Sequence, residues 1–198
     1  MGLIFRRNKN EKRITDRKFF EHKAEEVAQN LVGKFICYNN EAYLITKTEA
    51  YYHDEQDYNG KYFCYGVKDK GGANSKTYAT FPLFRSPGTW CVYGGQLLLS
   101  VTSSDVSDNV LIKEIESQDG TIYRSDGIAT KIFRLYQKFS NSNYWDIHGM
   151  DSLSGESILY LAEDTDKPNP AKEPRQYKRI NINSDKKYLF SMYEDKKL

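Results

Sequence analysis

The sequence predicts a single α+β domain built on a mostly antiparallel sheet, and three observations carry that expectation. Its 198 residues suit one compact core that buries roughly two thirds or more of the surface exposed by the unfolded chain. Two stretches repeat apolar residues at helical spacing. Short alternating runs lie between and after them, joined by Asn-Asn and Gly-Gly pairs suited to tight hairpins. Neighbouring short strands with segregated helices describe the α+β class.

Taken in order, residues 1–15 are polar and charged and read as a flexible basic arm, with residues 16–198 as the domain. Between Thr15 and Gly33, Ala24, Val27, Ala28 and Leu31 fall at i, i+3, i+4 and i+7, one face of a helix that Gly33 ends. Lys34–Tyr38 and Glu41–Tyr52 read as strands turned at Asn39-Asn40, residues that tolerate positive φ. Strict alternation places Tyr43, Ile45, Lys47, Glu49 and Tyr51 on one face of the second strand. Residues 53–81 have no sustained period and are punctuated by Gly60, Gly66, Gly71 and Gly72; an irregular segment of that length inside a domain is functional or disordered.

Trp90–Tyr93 and Gln96–Val101 form a second hairpin across Gly94-Gly95, and Val110–Ile115 is a further strand. A second helix is expected over Asp126–Phe139, where Ile128, Ile132, Leu135, Tyr136 and Phe139 keep helical spacing after a capping Ser125 or Asp126. Strands follow at Ser157–Glu163, Tyr177–Ile182 and Tyr188–Met192, with a proline-marked loop over residues 168–174. There is no internal repeat and no low-complexity tract.

Hydrophobic residues at 39% and charged residues at 28% exclude wholesale disorder, and no apolar run approaches the ~20 residues needed to cross a bilayer. Met1–Arg7 has arginines but no apolar segment or cleavage site behind it, so a cytoplasmic protein is expected, nucleoid-associated if bacterial. Cys37, Cys64 and Cys91 are odd in number and lack C-x-x-C spacing, which reads as reduced structural thiols. A net charge of +2 excludes an indiscriminate nucleic-acid coat and confines any DNA contact to a local patch. The amino-terminal Arg6, Arg7, Lys9, Lys12, Arg13, Arg17 and Lys18 are one candidate patch, and the loop lysines Lys61, Lys68, Lys70 and Lys76 another; a solvated tail or loop is the plainer reading of each. Sixteen tyrosines offer stacking surfaces for bases, although most tyrosines pack a core.

Two charged residues stand out. Glu49 alternates with Ile45 and Tyr51 on a face that otherwise looks inward, where a carboxylate is costly unless it is paired or working. Lys113 shares its strand face with Leu111 and Ile115 in the same way. The pair either satisfies itself as a structural ion pair or holds a water between its members. In Ser86–Gly95, Trp90 or Tyr93 is a core aromatic or a platform for a base. Nucleotide, zinc-protease and nucleophile-elbow signatures are absent, and with only His22, His53 and His148 a histidine metal site is not expected. Of the three, His53 alone adjoins T-E-A-Y-Y.

Ordered fragments from Phe19 to Ile182 carry a resemblance: F-F then A-E-E-V-A-Q-N-L-V-G-K-F-I, T-E-A-Y at Thr48–Tyr51, P-G-T-W-C-V-Y-G, V-L-I-K-E-I-E, D-G-I-A-T-K-I and R-I-N-I. Together they resemble the alkyladenine (3-methyladenine) DNA glycosylases. That resemblance implies a curved sheet with flanking helices and a monofunctional base-excision repair enzyme. It implies hydrolysis of the N-glycosidic bond of an alkylated purine flipped out of damaged DNA, without cofactor or metal, by a monomer with no membrane association and no obligate protein partner. It makes Glu49 the general base that activates water and Tyr51 one wall of the base pocket. Lys113 stands where the family has an arginine near the water, and Ser100 where it has an asparagine that screens the base.

Phosphate contacts are expected from Lys61, Lys76 and Arg85. The hairpin is about three residues shorter than in the family, which leaves two alignments. A deletion at the tip makes Tyr93 the pocket wall and removes the wedge. A deletion in the strand makes Tyr93 the wedge and Trp90 the wall. The tip is favoured, because a one-residue slip within a strand inverts every side chain. The family's pocket histidine has no counterpart near Tyr58-x-Gly60, where Gln56 or Asp57 stands instead. A nucleoside or nucleotide N-glycosidase and a non-catalytic nucleic-acid-binding relative are the alternatives.

Overall fold

The computed structural model describes residues 11–55, 85–93, 96–106, 108–133, 151–165, 173–180 and 184–194. The sheet dominates: among the described residues it contains β1 (Glu11–Arg13), β2 (Phe35–Tyr38), β3 (Glu41–Tyr51), β4 (Trp90–Tyr93), β5 (Gln96–Ser100), β6 (Asn109–Glu116), β7 (Ile122–Arg124), β8 (Leu159–Asp164), β9 (Arg175–Tyr177) and β10 (Leu189–Ser191). Every pairing is antiparallel, in the order β1-β8-β2-β3-β6-β5-β4. The long β3 is the spine. One edge carries β2 along its first half and β10 along its second, while β6 lines the other edge.

One regular helix, α1 (Ala24–Leu31), covers the sheet, so the expected set of flanking helices reduces among the described residues to α1 and short turns. Its buried stripe of Ala24, Val27, Ala28 and Leu31 is the one read from the sequence. The stripe packs over β3, where Thr48 Oγ1 donates to the carbonyl of Ala28 at 2.7 Å. Asn39 and Asn40 turn the first hairpin with φ of 48° and 67°, as their short polar side chains permit. The main core lies between α1 and the sheet and includes Phe20, Leu31, Ile36, Ile45, Trp90, Leu99, Ile112 and Phe133.

Three local expectations change. The arm expected to be flexible is, from Glu11 onward, an edge strand on β8, held because Ile14 enters the core and Arg13 donates to the carbonyls of Ser152 and Gly155; residues 1–10 lie outside the described residues. The second helix starts at Ser125 and widens over Ile128–Ile132, where Phe133 N–H reaches back to Ile128 at 3.1 Å, which buries Ile128 and Phe133; residues 134–139 lie outside the described residues. The strand expected over Tyr177–Ile182 is instead Arg175–Tyr177 among the described residues, because Arg179 turns its side chain into the protein and leaves the ladder. Cys37 and Cys91 are buried thiols, and Cys64 lies outside the described residues. Among the described residues no helix is long and apolar enough to cross a membrane.

Candidate active site

The register builds a small face apart from the main core. Glu49 pairs with Leu111 on β6, Leu111 with Leu98 on β5, and Leu98 with Cys91 on β4. The neighbouring row of Ala50, Val110, Leu99 and Trp90 belongs to the main core. Since consecutive side chains on a strand take opposite faces, Glu49 and its row look the other way. There Cys91, Leu98 and Leu111 form a separate apolar cluster, and the ring of Tyr51 packs on it. Tyr51, Asn109 and Ser100 make the next row on that face.

The Glu49 side chain is only 3% exposed and sits at the edge of this cluster. The Tyr51 hydroxyl donates to its Oε2 at 2.6 Å, and Lys113 Nζ lies 3.3 Å from each carboxylate oxygen. Lys113 is 35% exposed and reaches the buried anion from the solvent side. A carboxylate withdrawn from water beside an apolar cluster, bonded to a phenol and to a cation, has the chemistry of a proton acceptor. Among the described residues no group of three or more His, Cys, Asp or Glu could hold a metal ion.

The family model for methylpurine-DNA glycosylase matches residues 18–197, a span that contains this entire face. The chain belongs to the methylpurine-DNA glycosylase family. No curated protein matches it. As a methylpurine-DNA glycosylase it is an enzyme of base-excision repair, a hydrolase of N-glycosyl bonds that acts on alkylated purines in damaged DNA.

Of the residues singled out in the sequence of this glycosylase, four share the face: Glu49, Tyr51, Lys113 and Ser100. Ser100 is 1% exposed and its Oγ has no hydrogen-bond partner among the described residues, a buried polar atom one row from Glu49. Trp90 is not among them. It is 2% exposed in the main core and donates from Nε1 to the carbonyl of Leu159 at 3.1 Å, so it cannot wall a base beside Glu49. Tyr93 pairs with Gln96, but its side chain lies outside the described residues. Arg85 is half-buried ahead of β4, while Lys61 and Lys76 lie outside the described residues.

The hairpin motif P-G-T has a structural cause. Gly88 has φ of +87°, and a Cβ there would stand 3.0 Å from the Phe20 ring. Its N–H donates to Ser100 O at 2.8 Å, so this close approach fixes the end of β5 and hence Ser100.

Two further groups border the site. Asp108, buried at 3%, accepts from the His53 backbone N–H at 2.9 Å and lies 2.8 Å from His53 Nδ1, which directs the chain as it leaves β3. Arg179, 5% exposed, forms a forked ion pair with Glu55 at 2.5 and 2.8 Å. Neither partner of His53 or Arg179 could be read from spacing, since Asp108 and Glu55 are 55 and 124 residues away along the chain. The only signal for Arg179 was its place in R-I-N-I.

Proposed function

We propose that this glycosylase is monofunctional and releases the damaged base with a water activated by Glu49. The nucleotide swings out of the helix, and its base settles flat on the shelf of Cys91, Leu98 and Leu111 against the ring of Tyr51. Water attacks C1′ of the sugar and gives its proton to Glu49. The N-glycosidic bond breaks with its electron pair leaving on the base. A purine alkylated on a ring nitrogen carries positive charge, so it departs neutral without a proton donor. Lys113 offsets the charge of the Glu49 carboxylate before the water arrives, and Ser100 Oγ meets the edge of the base. Tyr93 is the opposing wall under the tip alignment.

The observation that carries this reading is a carboxylate 3% exposed on the face turned from the main core, next to the apolar cluster of Cys91, Leu98 and Leu111 and bonded to the tyrosine that packs on it. Base release from a panel of alkylated and deaminated oligonucleotides, duplex and single-stranded, tests it, with free alkylated nucleosides as a further substrate. Release from alkylated DNA is expected. Release confined to free nucleosides replaces it with a nucleoside N-glycosidase, and lesion binding without release replaces it with a non-catalytic binder.

A further inference from the structure

The carboxy-terminal segment grips β3 at the residue between Glu49 and Tyr51. Ala50 N–H donates to the carbonyl of Tyr188 at 2.9 Å, and the Ala50 carbonyl accepts from Arg179 Nη1. The same guanidinium centres 5.1 Å from the Tyr51 ring and 5.0 Å from that of Tyr188, while Lys186 Nζ lies 5.4 Å from the Tyr188 ring. Glu55, which forks with Arg179, also accepts from the backbone N–H of Tyr52 at 3.0 Å. One side chain therefore ties together the strand at Ala50, the ring of Tyr51 and the chain that leaves Tyr52.

The geometry points to Arg179 as a positioning residue that acts on catalysis through Tyr51. The Tyr51 hydroxyl reaches Glu49 Oε2 while its ring rests on the Cys91, Leu98 and Leu111 cluster with the planar guanidinium of Arg179 beside it. The side chain of Arg179 is 1% exposed and that of Glu55 9%, and Arg179 Nε has no hydrogen-bond partner among the described residues. A buried ion pair of this kind adds little stability over an apolar replacement. What a forked, stacked arginine supplies is fixed orientation, which a lysine with its single point charge cannot reproduce.

This inference rests on Glu49 as the base, and the test separates the two. Single-turnover release at saturating enzyme and affinity for an alkylated duplex are measured for wild type, Arg179→Lys, Tyr51→Phe and the double variant. Arg179→Lys is expected to slow release about tenfold or more, because misplacement of a catalytic group by even 1 Å costs up to about a hundredfold, with affinity unchanged. In the Tyr51→Phe background the same substitution is expected to have no further effect. Equal slowing in both backgrounds, or loss of affinity instead of rate, overturns the positioning role. If Arg179→Lys does not fold cooperatively, Arg179→Met with Glu55→Met removes both buried charges and enters the same cycle. Wild-type release by Glu49→Gln would instead remove the base itself, a result distinct from additivity in the cycle.

Discussion

The Tyr51 hydroxyl donates a 2.6 Å hydrogen bond to Glu49 Oε2, two residues back on the same strand face. A hydrogen bond to a charged group contributes about 1.5–3 kcal/mol. Tyr51→Phe, which keeps the ring and deletes the donor, is therefore expected to slow base release by roughly ten- to a hundredfold. Glu49→Gln keeps the shape but cannot take the proton, so it is expected to cost about 10²–10⁴ in rate with folding and DNA binding intact. Single-turnover kinetics on an alkylated duplex check both. A Glu49→Gln enzyme at the wild-type rate sinks Glu49 as the base.

Lys113 Nζ stands 3.3 Å from both oxygens of Glu49 while remaining 35% exposed. Lys113→Met leaves a buried carboxylate without its countercharge. For a fully buried pair that costs about 3–5 kcal/mol, but a lysine open to solvent is screened, and about 1–2 kcal/mol is expected here. Lys113→Arg preserves the charge and is expected to keep both stability and base release. Urea unfolding together with single-turnover rates decides, and equal damage from Met and Arg would show that packing of the side chain, not its charge, is what Glu49 needs.

Much of the fold follows from local pattern, and the exceptions are informative. The α1 stripe and both hairpins were legible, because each depends on residues a few positions apart, whereas Glu49 and Lys113 stood out only singly as charges and meet across 64 residues. Strict alternation along β3 was not correct. Tyr43 and Ile45 face the main core, and so do Ala50 and the helix-bonded Thr48, whereas Glu49 and Tyr51 face away. The register shifts on either side of Lys47 reverse the parity, and β6 shifts with it, so that Ile115 enters the main core while Leu111 joins the Tyr51 cluster. No glycine or proline marks the irregularity, and its polar residue Thr46 is satisfied by Glu114 at 3.0 Å across the strands. Such a compensated shift depends on the partner strand, which a local window cannot contain. Arg179 escaped for the same reason, since its role depends on Glu55 and Tyr51.

The core position of Trp90 separates stability from catalysis. Trp90→Phe loses ring volume and the bond from Nε1 to Leu159 O. A cost of about 2 kcal/mol is expected, which lowers Tm by about 4–8 °C in a domain of this size. Base release per folded molecule is expected to stay at the wild-type level. A rate defect with an unchanged Tm would return Trp90 to the pocket wall.

Tyr193 donates from its hydroxyl to Glu116 Oε2 at 2.6 Å and ties the carboxy-terminal segment to β6. That bond, then burial, then the negative charge of Glu116 push its phenol from 10.0 up to about 12. The folded state thus holds the proton more tightly than the unfolded one. The resulting stability is fully present below pH 10.0 and is lost as pH rises towards about 12. Tyr43 is raised as well, by burial first and then by its bond to Glu41. Urea unfolding across this alkaline range is expected to show wild-type stability falling more steeply than that of Tyr193→Phe. Parallel curves would mean that the Tyr193 bond to Glu116 is not kept in solution.

The hairpin between β4 and β5 leads to the last prediction. Tyr93 pairs with Gln96, which leaves only Gly94 and Gly95 between the strands and no side chain at the connection. A flipped base leaves a hole in the stack, and its unstacking costs a few kcal/mol. Under the tip alignment no wedge comes from this hairpin, and that cost falls on the contacts made to the flipped nucleotide. It is smallest where the base is already unpaired, so single-stranded, bulged or mismatched lesions are expected to be released faster than the same lesion in a matched duplex. Under the tip alignment Tyr93 is a wall, not a wedge, and Tyr93→Ala should slow release in every context because it removes a stacking surface worth about 1–3 kcal/mol. Single-turnover rates of wild type and Tyr93→Ala on one alkylated purine, placed in matched duplex and in single strand, test both statements. A defect confined to matched duplex would identify Tyr93 as the wedge and move the deletion from the tip into the strand.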